Sequence, residues 1–262
     1  MTEALRHAEP VMGTVVSFDV RDAGSGGRRA GVEAALGRAV AWLHRVDRVF
    51  STYRPDSQVS RLGRGELALA DCDPEVAEVL ALGEAAERAG DGAFSVRPGG
   101  TLDPSGVVKG WAVERASEIL REAGSLRHCV NGGGDAQTVG EPEPGRPWGL
   151  AVAHPLHSGA FATLVRGRDI ALATSGTAER GEHILDPRTG LPARGGLASV
   201  SVVGPRLTAV DIAATTAFAL GRDGRDWLER QPGLEGFAVL VDGRAWWTSG
   251  FGAYARLPDA TG

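Results

Sequence analysis

Cysteine is scarce: two residues, Cys72 and Cys129, in 262. Two cysteines cannot build a disulfide framework, and their spacing is not that of a metal-binding cysteine pair, so both read as buried thiols in a reducing compartment. Basic residues are not in excess. Lys and Arg number 28 against 33 Asp and Glu, a net charge of −5, which argues against binding nucleic acid through its phosphates. No apolar run approaches the roughly 20 residues of a membrane span. The opening "MTEALRHAEPVMGT" lacks the apolar core of a signal peptide, so the expected location is cytoplasmic. There is no internal repeat and no low-complexity segment. What remains is a chain 42% hydrophobic and 23% charged, long enough for a sizeable core, with no linker that cuts it. One domain over residues 1–262 is expected.

Hydrophobic periodicity sketches the elements. Residues 13–20 alternate, with Thr14, Val16, Phe18 and Val20 facing one way and Ser17 and Asp19 the other, as in a strand. Helical spacing begins near Ala30 and runs to about Phe50. Asp73-Pro74 reads as an N-cap with proline in the first turn, and Gly90 as the C-terminal stop. A further helix is expected over 107–123, with strands near 127–139, 148–153, 160–166 and 170–174. "ASVSVVG" reads as another strand, followed by a helix over 208–220. Asp242-Gly243 suits a two-residue hairpin turn. Helices and strands mix without βαβ alternation, so the fold class expected is α+β, with largely antiparallel sheets and packed helices.

Four stretches carry chemistry-bearing residues, and each admits a plain structural reading. In "NGGGDAQ" (131–137) the glycines either form a turn or let backbone amides approach a phosphate. In "LDPSGVVKGWAVERA" (102–116), Asp103 and Lys109 flank a helix start; they either bind an anion there or serve as cap and solvated side chain. In "TAVDIAATTAFALG" (208–221), Asp211 and Thr215 share a helix face at i, i+4. They offer hard oxygen ligands of the kind Mg²⁺ takes. Alternatively, Thr208 and Asp211 form a capping box and Thr215 bonds back to the Asp211 carbonyl. "SGTAERGEHILDPRTG" (175–190) is a Gly- and Pro-punctuated loop holding His183, a residue type suited to proton transfer, and ending in the turn signature "DPRTG".

Taken in order, "MGT", "FSTYRPDSQVSRL", "GAF", "DPSGVVKGWAV", "NGGGD", "TSGTAERGEHILDPRTG" and "AVDIAATTAFALG" resemble the landmarks of the ApbE family of flavin transferases, from residue 11 to residue 221. The resemblance implies an enzyme that uses Mg²⁺ and takes FAD as substrate. Such an enzyme moves FMN onto a Ser or Thr hydroxyl of an acceptor protein and releases AMP; some members hydrolyse FAD to FMN and AMP instead. It implies flavin-nucleotide contacts at Met12 and Tyr53, a contact segment at Ala93, Phe94 and Ser95, and nucleotide-proximal roles for Asp103 and Lys109. It further implies a main-chain metal contact at Gly106, side-chain metal ligands at Asp211 and Thr215, proton transfer by His183, and a backbone contact to FAD at Leu185. Asn131 and Asp135 fall in the family's glycine loop, and Thr174, Ser175 and Gly176 in the segment before the histidine.

The chain departs from the family pattern at Ser95, where Asp is usual, at Ala178, where an aromatic is common, and in the short stretch between Phe94 and Asp103. A flavin-binding protein that no longer turns over is therefore the reading from another class. The presence of Lys109, His183, Asp211 and Thr215 argues against it.

Overall fold

A computed structural model describes residues 4–177, 185–193 and 195–255. The chain opens with β1 (Leu5–Val11) and β2 (Thr14–Val20), then turns helical through α1 (Gly26–Phe50), α2 (Gln58–Gly63), α3 (Pro74–Ala89) and α4 (Ser105–Glu122). Strands β3 (His128–Gly132), β4 (Asp135–Val139), β5 (Trp148–Ala153), β6 (Phe161–Gly167), β7 (Ala171–Gly176), β8 (Leu185–Asp186), β9 (Leu191–Pro192) and β10 (Leu197–Gly204) follow. Helices α5 (Leu207–Leu220) and α6 (Gly224–Glu229) then lead to β11 (Glu235–Leu240) and β12 (Ala245–Trp247). The class is α+β.

Eight strands form one sheet in the order β1-β2-β3-β4-β7-β10-β11-β12, antiparallel at every step. Its helix-facing side carries Val16, Phe18, Val130, Ala173, Val200 and Val202 into one core with α1, α4 and α5. On the opposite side, the β5–β6 hairpin packs Val152 and Val165 over Leu172, Val203, Phe237 and Val239. Strand β10 is consequently buried along its whole length, Ser199 and Ser201 included.

Several sequence expectations are met. Strand β2, helix α3 with Gly90 at its C-cap, and helix α5 lie within a residue or two of their expected places. Strand β1 was not expected, because "LRHAEPV" is rich in polar residues. It lies at the sheet edge, where Pro10 is tolerated. The Asp73 side chain does not cap α3; it pairs with Arg45 at 2.9 Å. The turn at Asp242-Gly243 is not a two-residue one. Leu240 N–H donates to the Arg244 carbonyl at 2.8 Å, three residues lie between them, and only Gly243 has positive φ, +86°. Both cysteines are half-buried rather than buried, and both are free.

Candidate active site

Three turns of the chain border the candidate site, two of them adjoining at one end of the sheet. The β1–β2 connection is a two-residue turn with Met12 at φ +57° and Gly13 at +70°. Both signs suit the twist of a hairpin, but positive φ strains a methionine, of the order of 1 kcal/mol. Such strain clusters at functional positions. The β3–β4 turn lies against it. Gly133 and Gly134 have φ of +61° and +94°, and Asn131 Oδ1 accepts from Gly134 N–H at 3.1 Å. "NGGGD" is therefore a hairpin turn. A Cβ on Gly133 would come 2.7 Å from Thr14 Oγ1, so the two turns need glycine there to adjoin. The third is the turn after α3, where Ala93 and Phe94 are buried.

Asp135 begins β4 beside that turn, with its side chain on the helix side of the sheet. Its Oδ1 accepts from Thr174 N–H of β7 at 3.0 Å, and its carboxylate pairs with Lys109 of α4. Lys109 is thus held over a buried carboxylate rather than merely solvated. It lies 3.8 Å from Oδ1 of Asp211, a residue only 2% exposed on α5. Oδ2 of Asp211 accepts from the main-chain N–H of Gly110 at 2.9 Å. Burial pushes the Asp211 pKa well above the carboxylate range, while Lys109 pulls it back down.

The capping-box alternative for α5 does not hold. Arg206 occupies the N-cap position with no side-chain cap bond. The first amides of α5 are served instead from outside the helix: Leu207 N–H by Gln137 Oε1 at 2.9 Å, and Thr208 N–H by Glu114 Oε2 at 2.8 Å. Nor does Thr215 bond back to its own helix. Its hydroxyl meets Ser175 Oγ of β7 at 3.1 Å, and it is Thr216 that bonds the carbonyl four residues earlier. Both Asp211 and Thr215 are left aimed out of α5 towards α4 and β7.

Gly106 lies in the first turn of α4. A Cβ there would sit 3.2 Å from the Phe94 ring and 4.0 Å from Thr215 Cγ2, so Phe94 packs directly on this glycine and Thr215 stands beside it. Gly110 N–H, which donates to Asp211, is in the position from which a helix amide would serve the Gly106 carbonyl. Asp103 lies one position before the N-cap, Pro104, and its Oδ1 accepts from Ser105 N–H at 3.0 Å at the start of α4. Ser95 Oγ accepts from Arg97 N–H at 3.0 Å. Thr174 Oγ1 meets Ser201 Oγ at 2.8 Å, and Gly176 is required by strand β10, since a Cβ would lie 2.7 Å from the Ala198 carbonyl.

Tyr53, in the turn after α1, is 95% exposed. Leu185 enters strand β8, its main chain paired opposite Pro192. "DPRTG" forms the expected turn, with Gly190 N–H donating to the Asp186 carbonyl at 2.8 Å. His183 and Ala178 lie outside the described residues.

The donors that Asp211 and Thr215 aim out of α5 are a carboxylate and a hydroxyl, both hard oxygens. Among the described residues no three His, Cys, Asp or Glu side chains cluster as a metal site. A hard cation that keeps waters and substrate oxygens in its shell suits this set; a thiolate- or imidazole-seeking metal does not.

Two participants escaped the sequence reading. Gly110 had a signal, a glycine inside a helix, which often marks a close approach. A Cβ there would lie 2.7 Å from Asp211 Cβ. Glu114 had none, because a glutamate in a helix reads as solvent-facing.

Residues 12–100 and 95–238 match the model of the ApbE family, and the chain belongs to that family. Over 168 residues, 60% of this chain and 49% of the relative, it is 26% identical to a FAD:protein FMN transferase of Haemophilus influenzae. It is 29% identical over 219 residues to the FAD:protein FMN transferase of Rhodobacter capsulatus, 80% of this chain and 38% of that one. The chain thus spans half or less of the length of these curated relatives. The solved ApbE protein of Thermotoga maritima, 23% identical, superposes with a TM-score of 0.83 over 97% of this chain and 100% of its own, and shares the fold.

Proposed function

We propose that the chain is a single-domain, Mg²⁺-dependent FAD:protein FMN transferase that joins FMN to a Ser or Thr hydroxyl of an acceptor protein and releases AMP. The observation that carries this is the meeting of Lys109, Asp135, Asp211 and Thr215 beside Gly106, from two helices and one strand. The family relationship and the names of the curated relatives support it.

Asp211, Thr215 and the Gly106 carbonyl would hold Mg²⁺. When bound, the ion supplies Lewis-acid neutralisation of the pyrophosphate. The chain's own residues do the rest. Lys109, anchored by Asp135, presents a fixed positive charge to phosphate oxygens, and alignment with charge neutralisation is most of what phosphoryl transfer needs. Tyr53 offers an exposed aromatic face for the flavin ring, and the Leu185 main chain offers hydrogen-bonding groups. The acceptor oxygen forms its new bond to the phosphorus of the FMN half, the bond from that phosphorus to AMP breaks, and His183 takes the acceptor's hydroxyl proton. The acceptor is a cytoplasmic protein or a cytoplasmic face, a reading that the two free thiols favour.

Incubation with FAD, Mg²⁺ and candidate acceptors, followed by intact mass, tests this. An acceptor heavier by one FMN phosphoester, with AMP in solution, is the expected result. Free FMN and AMP with no adduct on any acceptor would assign the FAD-hydrolysing activity instead. Bound FAD with no AMP would reduce the chain to a flavin-binding protein.

A further inference from the structure

The hairpin that follows the histidine segment is tied to the same helix that carries Asp211 and Thr215. Arg188 lies at its tip. The Arg188 Nε donates to Asp186 Oδ1 at 2.8 Å and its Nη2 to Asp186 Oδ2 at 2.9 Å, a forked pair on one carboxylate. Nη2 also donates to the main-chain carbonyl of Ala219 at 3.3 Å. Ala219 lies in the last turn of α5, where carbonyls have no helical partner and a cation is favoured. It is also one turn beyond Thr215.

Two further features fasten the same joint. Gly195, just after the hairpin, lies so close to Gly221, the C-cap of α5, that a Cβ on it would come 2.2 Å from Gly221 Cα. Gly221 has φ +62°, which favours glycine there for a second reason. A Cβ on Gly92 would lie 3.7 Å from Arg188 Cγ, so the arginine also reaches the turn that presses Phe94 onto Gly106. Asp91 and Asp223 both hold Arg188 more firmly in its charged form, after the larger effect of Asp186.

We propose that Arg188 is a positioning residue: it clamps the 185–193 hairpin onto the C-terminal end of α5 and so sets the Leu185 main chain at a fixed place relative to Asp211 and Thr215. This rests on the reading that Leu185 contacts FAD. A clamp acting there governs how well FAD is held against the metal ligands. It has no part in the proton transfer.

The test compares Arg188→Ala and Arg188→Lys with the wild type, by equilibrium FAD binding read from flavin fluorescence and by AMP release at saturating Mg²⁺ and acceptor. Arg188→Ala is expected to raise both Kd and KM for FAD about tenfold, the order carried by one lost charge-assisted hydrogen bond, with kcat changed by less than a few-fold. Arg188→Lys keeps the charge and loses the fork, and is expected to fall between. Guanidinium at low millimolar concentration should recover part of the FAD affinity of Arg188→Ala, which a merely structural arginine would not show. A folded Arg188→Ala with wild-type Kd and KM overturns the clamp. If that variant loses its cooperative melt, Arg188→Lys decides: wild-type KM there overturns the clamp equally. A wild type that neither binds nor turns over FAD overturns the functional reading and the clamp with it, whereas an active wild type beside an unaffected variant overturns the clamp alone.

Discussion

The main-chain N–H of Gly110 in α4 donates to Oδ2 of Asp211 in α5 at 2.9 Å, across 101 positions of sequence. One oxygen of the carboxylate is thereby fixed, and the other is left facing Lys109 at 3.8 Å. This relationship sets Asp211 apart from a helix cap. A capping aspartate serves its own helix; Asp211 serves a neighbouring one.

Asp211→Asn should keep the fold and lose the chemistry. An asparagine oxygen can still accept from Gly110, but it cannot supply the negative charge that a cation requires. Metal ions contribute several kcal/mol to such reactions, so turnover should fall by about 10²-fold or more. Thermal melts and AMP release across a Mg²⁺ titration check this. Wild-type metal dependence in the variant would return Asp211 to a structural role.

Gly110→Ala should damage both stability and site. Its Cβ would lie 2.7 Å from Asp211 Cβ and 2.9 Å from the Leu207 carbonyl, and neither a short side chain nor a backbone atom can swing aside. Overpacking of this kind costs roughly 1–3 kcal/mol. Urea unfolding would show it as a lower midpoint with an unchanged slope. A midpoint equal to wild type would mean that α4 and α5 separate more readily than their packing suggests.

His128 makes stability depend on pH. It is fully buried, and its hydrogen bonds fix its tautomer. Ser125 donates to Asp22 Oδ1 at 2.9 Å, so Ser125 Oγ accepts from His128 Nδ1–H at 2.9 Å, and Nε2 accepts from Ser117 Oγ–H at 2.8 Å. Burial lowers its pKa from 6.5 to about 4, the nearby Asp22 opposing. As pH falls, the unfolded chain takes up the proton first. Stability from this group is therefore whole above about pH 6.5, declines between 6.5 and 4, and is level below. The loss amounts to roughly 3 kcal/mol. His128→Gln should remove that slope. Urea unfolding of both proteins at pH 7.5 and 4.5 measures it, and an equal acid loss in the two proteins would assign the effect to the carboxylates.

His183→Ala should lower the transfer rate by ~10²–10⁴-fold, the usual contribution of a general base, with FAD affinity much less affected. Single-turnover transfer and equilibrium FAD binding separate the two. A near-normal rate with weakened binding would make His183 a nucleotide-positioning residue and leave the chemistry to alignment and charge.

The sequence by itself determined the α+β class, the helical and strand faces, and the order of landmarks that marks the family. Those signals are local: period-two alternation in "VVSFDV", helical spacing through "VLALGEAAERA", and Gly or Pro at the breaks. It also named Asp211 and Thr215 as sharing a face, because i, i+4 spacing on a helix is a geometric certainty. What that face looks at was not legible. Whether Asp211 caps its own helix or bonds Gly110, whether Lys109 meets water or Asp135, and whether Thr215 bonds back to its helix or meets Ser175 all depend on which elements pack together. The burial of a carboxylate is likewise a property of the assembled core. The tertiary structure decided these points because each side chain has a local partner available, and only the packing of α4 against α5 and the β4–β7 pairing put a better one within hydrogen-bonding reach.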